Sequence, residues 1–200
     1  MRYLSIDLEA TGLEEHDLII EFAAIPIDTD KKEINEELSF HSLVKCPSFD
    51  ELKPKLNPWV VQNNKELIQL AHKQGSELAS FKKSFENYIE SIQIQEYFYH
   101  DKIVLFGKSL NAIDLPFMTR DLSWEFMRKH FSHRVNDLSS FVYNLIDAKI
   151  IDEKCISGGE LMSFLNMGEV AHTALEDARN TAIAYFDLLD MVDKKETSDA

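Results

Sequence analysis

The chain has 200 residues, 44% of them hydrophobic and 28% charged, which suits one globular domain able to bury its own core without staples. Thirty-five acids against 21 lysines and arginines leave a net charge of -14, a balance that argues against tight electrostatic gripping of long nucleic acid. No apolar run approaches a membrane span. The acidic N-terminus (Asp7, Glu9, Glu14, Glu15) does not read as a signal or transit peptide, and Cys46 and Cys155 lack a metal-ligand spacing. A mature cytoplasmic protein with free thiols is expected.

In chain order, Tyr3, Leu4 and Ile6 mark a first strand that carries Asp7 and Glu9 and breaks at Thr11 and Gly12. An Ile-rich run over 17–28 reads as a buried strand, paired on one side only at Pro26, which has no N–H to donate. Residues 33–44 read as its return strand, and 45–58, with three prolines, as loop. Asn57 and Pro58 predict a helix start. Ser76 is expected to cap a helix whose stripe is Leu78, Phe81, Phe85, Tyr88, Ile89 and Ile92, a pattern typical of core packing. A short strand over 102–107 follows, then helices through Phe117 and Met118 and over 121–131. Arg134 and Val135 suggest a last strand, and Asp137 a cap for the helix through Phe141 and Leu145. Ser157-Gly158-Gly159 breaks the chain before a short helix. A final helix is expected over 173–192, with 193–200 a frayed, disordered, charged tail. Strands first, then strands alternating with helices, predict an α/β class with a mixed sheet in a single domain, 1–192.

Asp7 and Glu9 are two apart, so on a strand both carboxylates leave the same face side by side. Like charges that close favour protonation unless a cation sits between them, and a hard dication takes carboxylate oxygens. A solvated acidic strand end is the alternative for this pair alone. Asp114 opens a helix just after a strand, where α/β sheets place their ligand crevice; with Pro116 two residues on, it could equally be a plain N-cap. Thr173 and Glu176 form a capping-box pattern that brings His172 (N′) and Asp177 (N4) together across a helix start. An imidazole oriented by a carboxylate suits a general base, while a surface His beside an acid favoured by the helix dipole is the simpler account. Glu21 and Asp137 read as structural.

Taken together, Asp7-Leu8-Glu9 with Thr11-Gly12, then Asp114, then His172 and Asp177 five apart resemble the three motifs of the DEDDh 3′-5′ exonucleases, a family that includes epsilon-type proofreading subunits, oligoribonuclease and RNase T. The resemblance covers roughly residues 1–190 and extends to Ile19-Ile20-Glu21 and to Ala178, Arg179 and Thr181. Two departures stand out: Ala10 where the family often has Thr, and Ile113 where a Phe usually precedes the second-motif Asp, with Asn111 one place off.

The resemblance implies an RNase H-like mixed sheet flanked by helices and hydrolysis of phosphodiester bonds from single-stranded 3′ ends, releasing nucleoside 5′-monophosphates. It implies two Mg2+ or Mn2+ ions held by Asp7, Glu9, Asp114 and Asp177, with Asp7 bridging them, His172 as general base, and Thr11 and Leu13 at the terminal nucleotide. DNA versus RNA, and a homodimer or polymerase partner, stay open; the short tail favours a free-standing enzyme over a polymerase-bound proofreader. Two other classes compete. A catalytically silent adaptor of the same fold would have lost one of the five residues, and all five are present. A phosphomonoesterase or metal-binding protein would have no need of His172.

Overall fold

The computed structural model describes residues 1–168 and 173–198, the last of these (195–198) as helix backbone. Its strands are β1 (Arg2–Ala10), β2 (Ile19–Asp28), β3 (Glu33–Ile34), β4 (Phe40–Leu43), β5 (Leu105–Gly107) and β6 (Asn136–Asp137). Its helices are α1 (Phe49–Leu52), α2 (Pro58–Asn63), α3 (Lys65–Gln74), α4 (Leu78–Ile89), α5 (Ile92–Tyr97), α6 (Asp114–Leu122), α7 (Trp124–His130), α8 (Leu138–Asp147), α9 (Gly158–Phe164) and α10 (Ala174–Ser198). The sheet runs β3-β2-β1-β5-β6, with β4 also on β2. β1 and β2 are antiparallel, whereas β1, β5 and β6 are parallel. The expected mixed sheet flanked by helices is therefore what forms.

Alternation along β1 sorts its side chains between two layers. Leu4, Ile6 and Leu8 pack with Phe22, Phe81, Phe85 and Phe131 in one core cluster. Tyr3 joins Phe106, Leu138 and Tyr185 in the other. The stripe of α4 is core, with Phe81, Phe85 and Ile89 fully enclosed.

Several boundaries differ from the sequence reading. The return strand is split by a 3-10 turn at Glu36–Leu38, because Pro26 opposite offers no donor; its carbonyl instead accepts the Asn35 N–H at 2.9 Å. Ser76 is not a cap. Its backbone bridges Val44 in parallel, exchanging bonds with Leu43 and Lys45, and Glu77 starts the helix. Gly75 makes this passage possible, since a Cβ there would sit 2.6 Å from the Lys45 nitrogen. Ile92 leaves the stripe: the chain turns after Ile89, Ser91 caps α5, and Ile92 is exposed. Within the expected loop, Ser48 and Glu51 build a capping box for α1. The last strand is Asn136–Asp137, just past Arg134 and Val135. α10 runs beyond Val192 through Ser198, over most of the segment expected as a frayed tail. Asp137 caps α8 through the Ser140 N–H and also holds the Leu110 N–H at 2.7 Å. Cys46 and Cys155 are buried free thiols. No described helix is long and apolar enough to cross a membrane.

Candidate active site

The face of β1 opposite the aromatic layer carries Ser5, Asp7 and Glu9, and α10 lies across it. Ala174, Ala178 and Ala182, four residues apart, are all fully buried. With only methyl groups between helix and sheet, the backbones come close enough for the Ser5 hydroxyl to donate to the Ala178 carbonyl at 2.7 Å. Asp177, next to Ala178, is thereby delivered to the end of β1. Carboxylate oxygens of Asp7, Glu9 and Asp177 lie within 4.8 Å of one another.

Asp114 is the first residue of α6, with Ile113 in the N-cap position and no side-chain cap bond, so the plain-cap alternative fails. Its side chain is buried beside the Leu8 amide and lines the same cavity as the other three acids without joining their tight trio. Thr173 holds the start of α10, accepting the Glu176 N–H at 3.4 Å and donating to its carboxylate at 3.1 Å. His172, expected to pair with Asp177, lies outside the described residues.

The electrostatics follow from four acids sharing little water. Burial, then the charges of Asp114, Asp177 and Glu9, hold Asp7 well above the usual carboxylate range. Glu9 is pushed up to about 7 by burial and by Asp177 and Glu21, against a hydrogen bond from Asn64 Nδ2 at 3.3 Å. Asp114 is also pushed up to about 7, chiefly by burial, although backbone amides oppose the shift. Such a set is unstable as four anions and well suited to dications, so the donor set fits hard metal ions. The acids open onto a cavity of about 820 Å³ lined also by Lys108, Met162 and Thr181. On the other side of Glu9, a cavity of about 770 Å³ is bounded by Leu13, Lys55, Leu56 and Trp59.

Leu13 is exposed on that second rim, whereas the Thr11 hydroxyl is committed to the turn: it donates to Asp17 at 2.8 Å and accepts the Leu18 N–H at 2.9 Å. Gly12 lets Asp17 close this turn, for a Cβ there would meet its carboxylate. Two basic residues near the motifs are also spoken for. Arg120 bonds the carbonyls of Glu15 and Asp17 and the Asp121 carboxylate, and Arg179 forms a two-pronged bond with Glu36. Lys108 makes no ion pair among the described residues and faces the acidic cavity.

Two residues beside the acids were not among the expected site residues. Glu21 stands opposite Glu9 in the β1–β2 register, is 3% exposed, accepts the Ala174 N–H at 3.1 Å and meets His41 Nε2 at 2.6 Å. The sequence reading of Glu21 as structural fits this role, since a carboxylate buried inside a strand needs partners. Asn64, donating to Glu9, had no signal in the sequence.

The sequence model of the RNase T exonuclease family matches residues 4–185. The chain belongs to this family. No curated protein matches it by sequence. Among solved structures it is similar in fold to cell-death related nuclease 4 (CRN-4), with TM-score 0.70 and 18% identity over 95% of this chain and 64% of that one. The nuclease domain of 3′hExo, a DEDDh family member bound to rAMP, gives TM-score 0.65 and 15% identity over 94% of this chain and 92% of that domain. A moderately thermophilic Exonuclease I from Methylocaldum szegediense gives TM-score 0.71 and 16% identity over 94% of this chain and 40% of that one. The chain thus spans less than two thirds of CRN-4 and of Exonuclease I.

Proposed function

We propose that this protein is a metal-dependent 3′-5′ exonuclease acting on short single-stranded ends of DNA or RNA, cutting one nucleoside 5′-monophosphate at a time. The observation that carries this reading is the convergence of Asp7, Glu9 and Asp177 within 4.8 Å, with Asp114 on the same cavity wall.

Asp7, Glu9, Asp114 and Asp177 would hold two Mg2+ or Mn2+ ions. When bound, such ions activate water and stabilise the charge that develops on the phosphate and the leaving oxygen. The chain's own groups do the rest. His172 takes the proton from the attacking water as the new O–P bond forms. The P–O3′ bond breaks, and the 3′-oxygen of the penultimate nucleotide leaves and is protonated. Asn64 orients Glu9 through its amide hydrogen bond. Lys108 offers a positive charge to the phosphate from across the cavity. Leu13 and Trp59 form the rim against which the terminal nucleotide packs.

Matched 5′-labelled DNA and RNA oligomers, digested with Mg2+, Mn2+ or EDTA, test the proposal. A ladder shortening by single nucleotides, abolished by EDTA, is expected. Internal cuts, or hydrolysis of a small phosphomonoester only, would overturn it.

A further inference from the structure

A second cluster of metal-ligating groups lies where α4 meets α7. Glu86, in the last turn of α4, and Glu90, which caps its end, are four residues apart on the same side. His130, the last residue of α7, is packed against them with 8% of its surface exposed. Its Nε2 is enclosed and has no hydrogen-bond partner among the described residues. It points at the two acids, 3.9 Å from Glu86 Oε1 and 3.7 Å from Glu90 Oε1. Those distances are too long for hydrogen bonds, and a buried nitrogen left in that state is unusual.

The separations suit two ligands of one ion better. Bonds of about 2.0–2.2 Å from zinc to nitrogen or carboxylate oxygen put tetrahedral neighbours roughly 3.4 Å apart, so a shift of about half an ångström brings the imidazole to that spacing from each carboxylate. All three ligand atoms already lie within 4.8 Å of one another. A cation also stands at the same oxygens: the Lys129 ammonium is 2.7 Å from Glu90 Oε1 and 3.4 Å from Glu86 Oε1. That side chain is 56% exposed and can swing into solvent.

We propose that Glu86, Glu90 and His130 form a structural site for a transition-metal dication of the Zn2+ class, with Lys129 as the displaceable cation. The imidazole nitrogen selects against Mg2+ and Ca2+, which prefer all-oxygen shells. The site's place in the fold separates it from the catalytic carboxylates. The His130 carbonyl accepts the Ile103 N–H at 3.1 Å, and Ile103 precedes β5, whereas the acidic cavity opens beyond the other end of that strand, at Lys108. An ion here ties α7 to α4 over the Phe85–Phe126 ring contact and takes no part in phosphodiester cleavage. The inference does not depend on the nuclease reading.

The test is metal binding by the Asp7→Asn/Asp177→Asn protein, in which the catalytic carboxylate set is disabled. One equivalent of Zn2+ is expected by calorimetry, with a rise in Tm, no competition from millimolar Mg2+, and a visible absorption band when Co2+ is substituted. Glu90→Gln, at a partly exposed position, should keep the metal-free Tm and weaken Zn2+ on the order of tenfold or more, while Lys129→Ala should tighten it. Failure of the double variant to take up Zn2+, or uptake unchanged by Glu90→Gln and by His130→Asn alike, would overturn the proposal.

Discussion

The Glu21 carboxylate accepts the backbone N–H of Ala174 at 3.1 Å, so an acid in the second strand holds the first turn of the helix that carries Asp177. A helix start has unpaired amides and a partial positive charge, and a buried carboxylate satisfies both. The same carboxylate meets His41, whose pKa it raises. Glu21→Ala should therefore leave Ala174 N–H without a partner and cost on the order of 1–3 kcal/mol. Glu21→Gln keeps one acceptor and should recover most of that loss. Urea denaturation of both variants, with kcat measured beside it, checks this; equal stability of Glu21→Ala and the parent would refute the anchoring role.

Asp7→Asn removes the most crowded charge and retains volume. Activity should be lost, whereas the protein in EDTA should gain on the order of 1–2 kcal/mol, roughly 2–8 °C in Tm for a domain of this size. A calorimetric scan in EDTA reads the gain, and a single-stranded oligomer reads the loss. Full turnover in this variant would remove the basis for a metal-dependent mechanism.

The raised pKa values of Asp7, Glu9 and Asp114 fix the sign of a pH effect. Folded-state values above the unfolded ones mean that the native protein binds more protons between about pH 4 and pH 7. Their contribution to stability is thus fully present below the ordinary carboxylate range and is lost as pH rises through about 7. In EDTA, Tm should fall across that window, and saturating Mg2+ should flatten the fall. Because protons compete with metal for the same oxygens, Mg2+ affinity should weaken as pH drops below about 7. A metal-free Tm that climbs from pH 5 to 8 in the parent and in Asp7→Asn alike would contradict this account.

Replacing the proposed base, His172→Ala, should slow turnover on the order of 10²- to 10⁴-fold, the usual worth of a positioned base, and flatten the acidic limb of the rate profile. Metal affinity should survive. Its collapse would make His172 a ligand instead.

Charge sets a limit on grip. With -14 overall and with Arg120 and Arg179 already paired, few cations near the catalytic acids remain to meet phosphates. Each contact on a single strand adds roughly 0.7 to the salt slope. A shallow slope, on the order of two or three contacts, is expected, along with a preference for short single-stranded ends over long duplex. Measuring kcat/KM against oligomer length and salt decides this. A steep slope, with rates climbing past about ten nucleotides, would reveal an extended basic track.

The carboxylates were legible in the sequence because strand period and helix capping fix where side chains point using only neighbours. Spacing put Asp7 and Glu9 on one face and the Thr173–Glu176 pattern put Asp177 at a helix start, but only the resemblance to the DEDDh motifs joined them with Asp114 in one site. What required the whole fold was harder to read. Nothing local marks Asn64 as a donor to Glu9, since the contact joins the α2–α3 junction to β1 across 55 residues of sequence. Ser76 reads as a cap by composition and is pulled instead into a bridge with Val44, where tertiary pairing outweighs the local preference. Ile92 keeps the spacing of the α4 stripe, yet the chain turns at Ser91 and leaves it in solvent.

The order of the four acids along the chain has a consequence for synthesis. Asp7 and Glu9 sit in β1, and Asp177 in α10, which docks against that strand through Ser5 and the buried alanines. A growing chain holds an incomplete ligand set until α10 has emerged and seated. On the proposed mechanism, no fragment short of α10 can cleave nucleic acid while it is still being made.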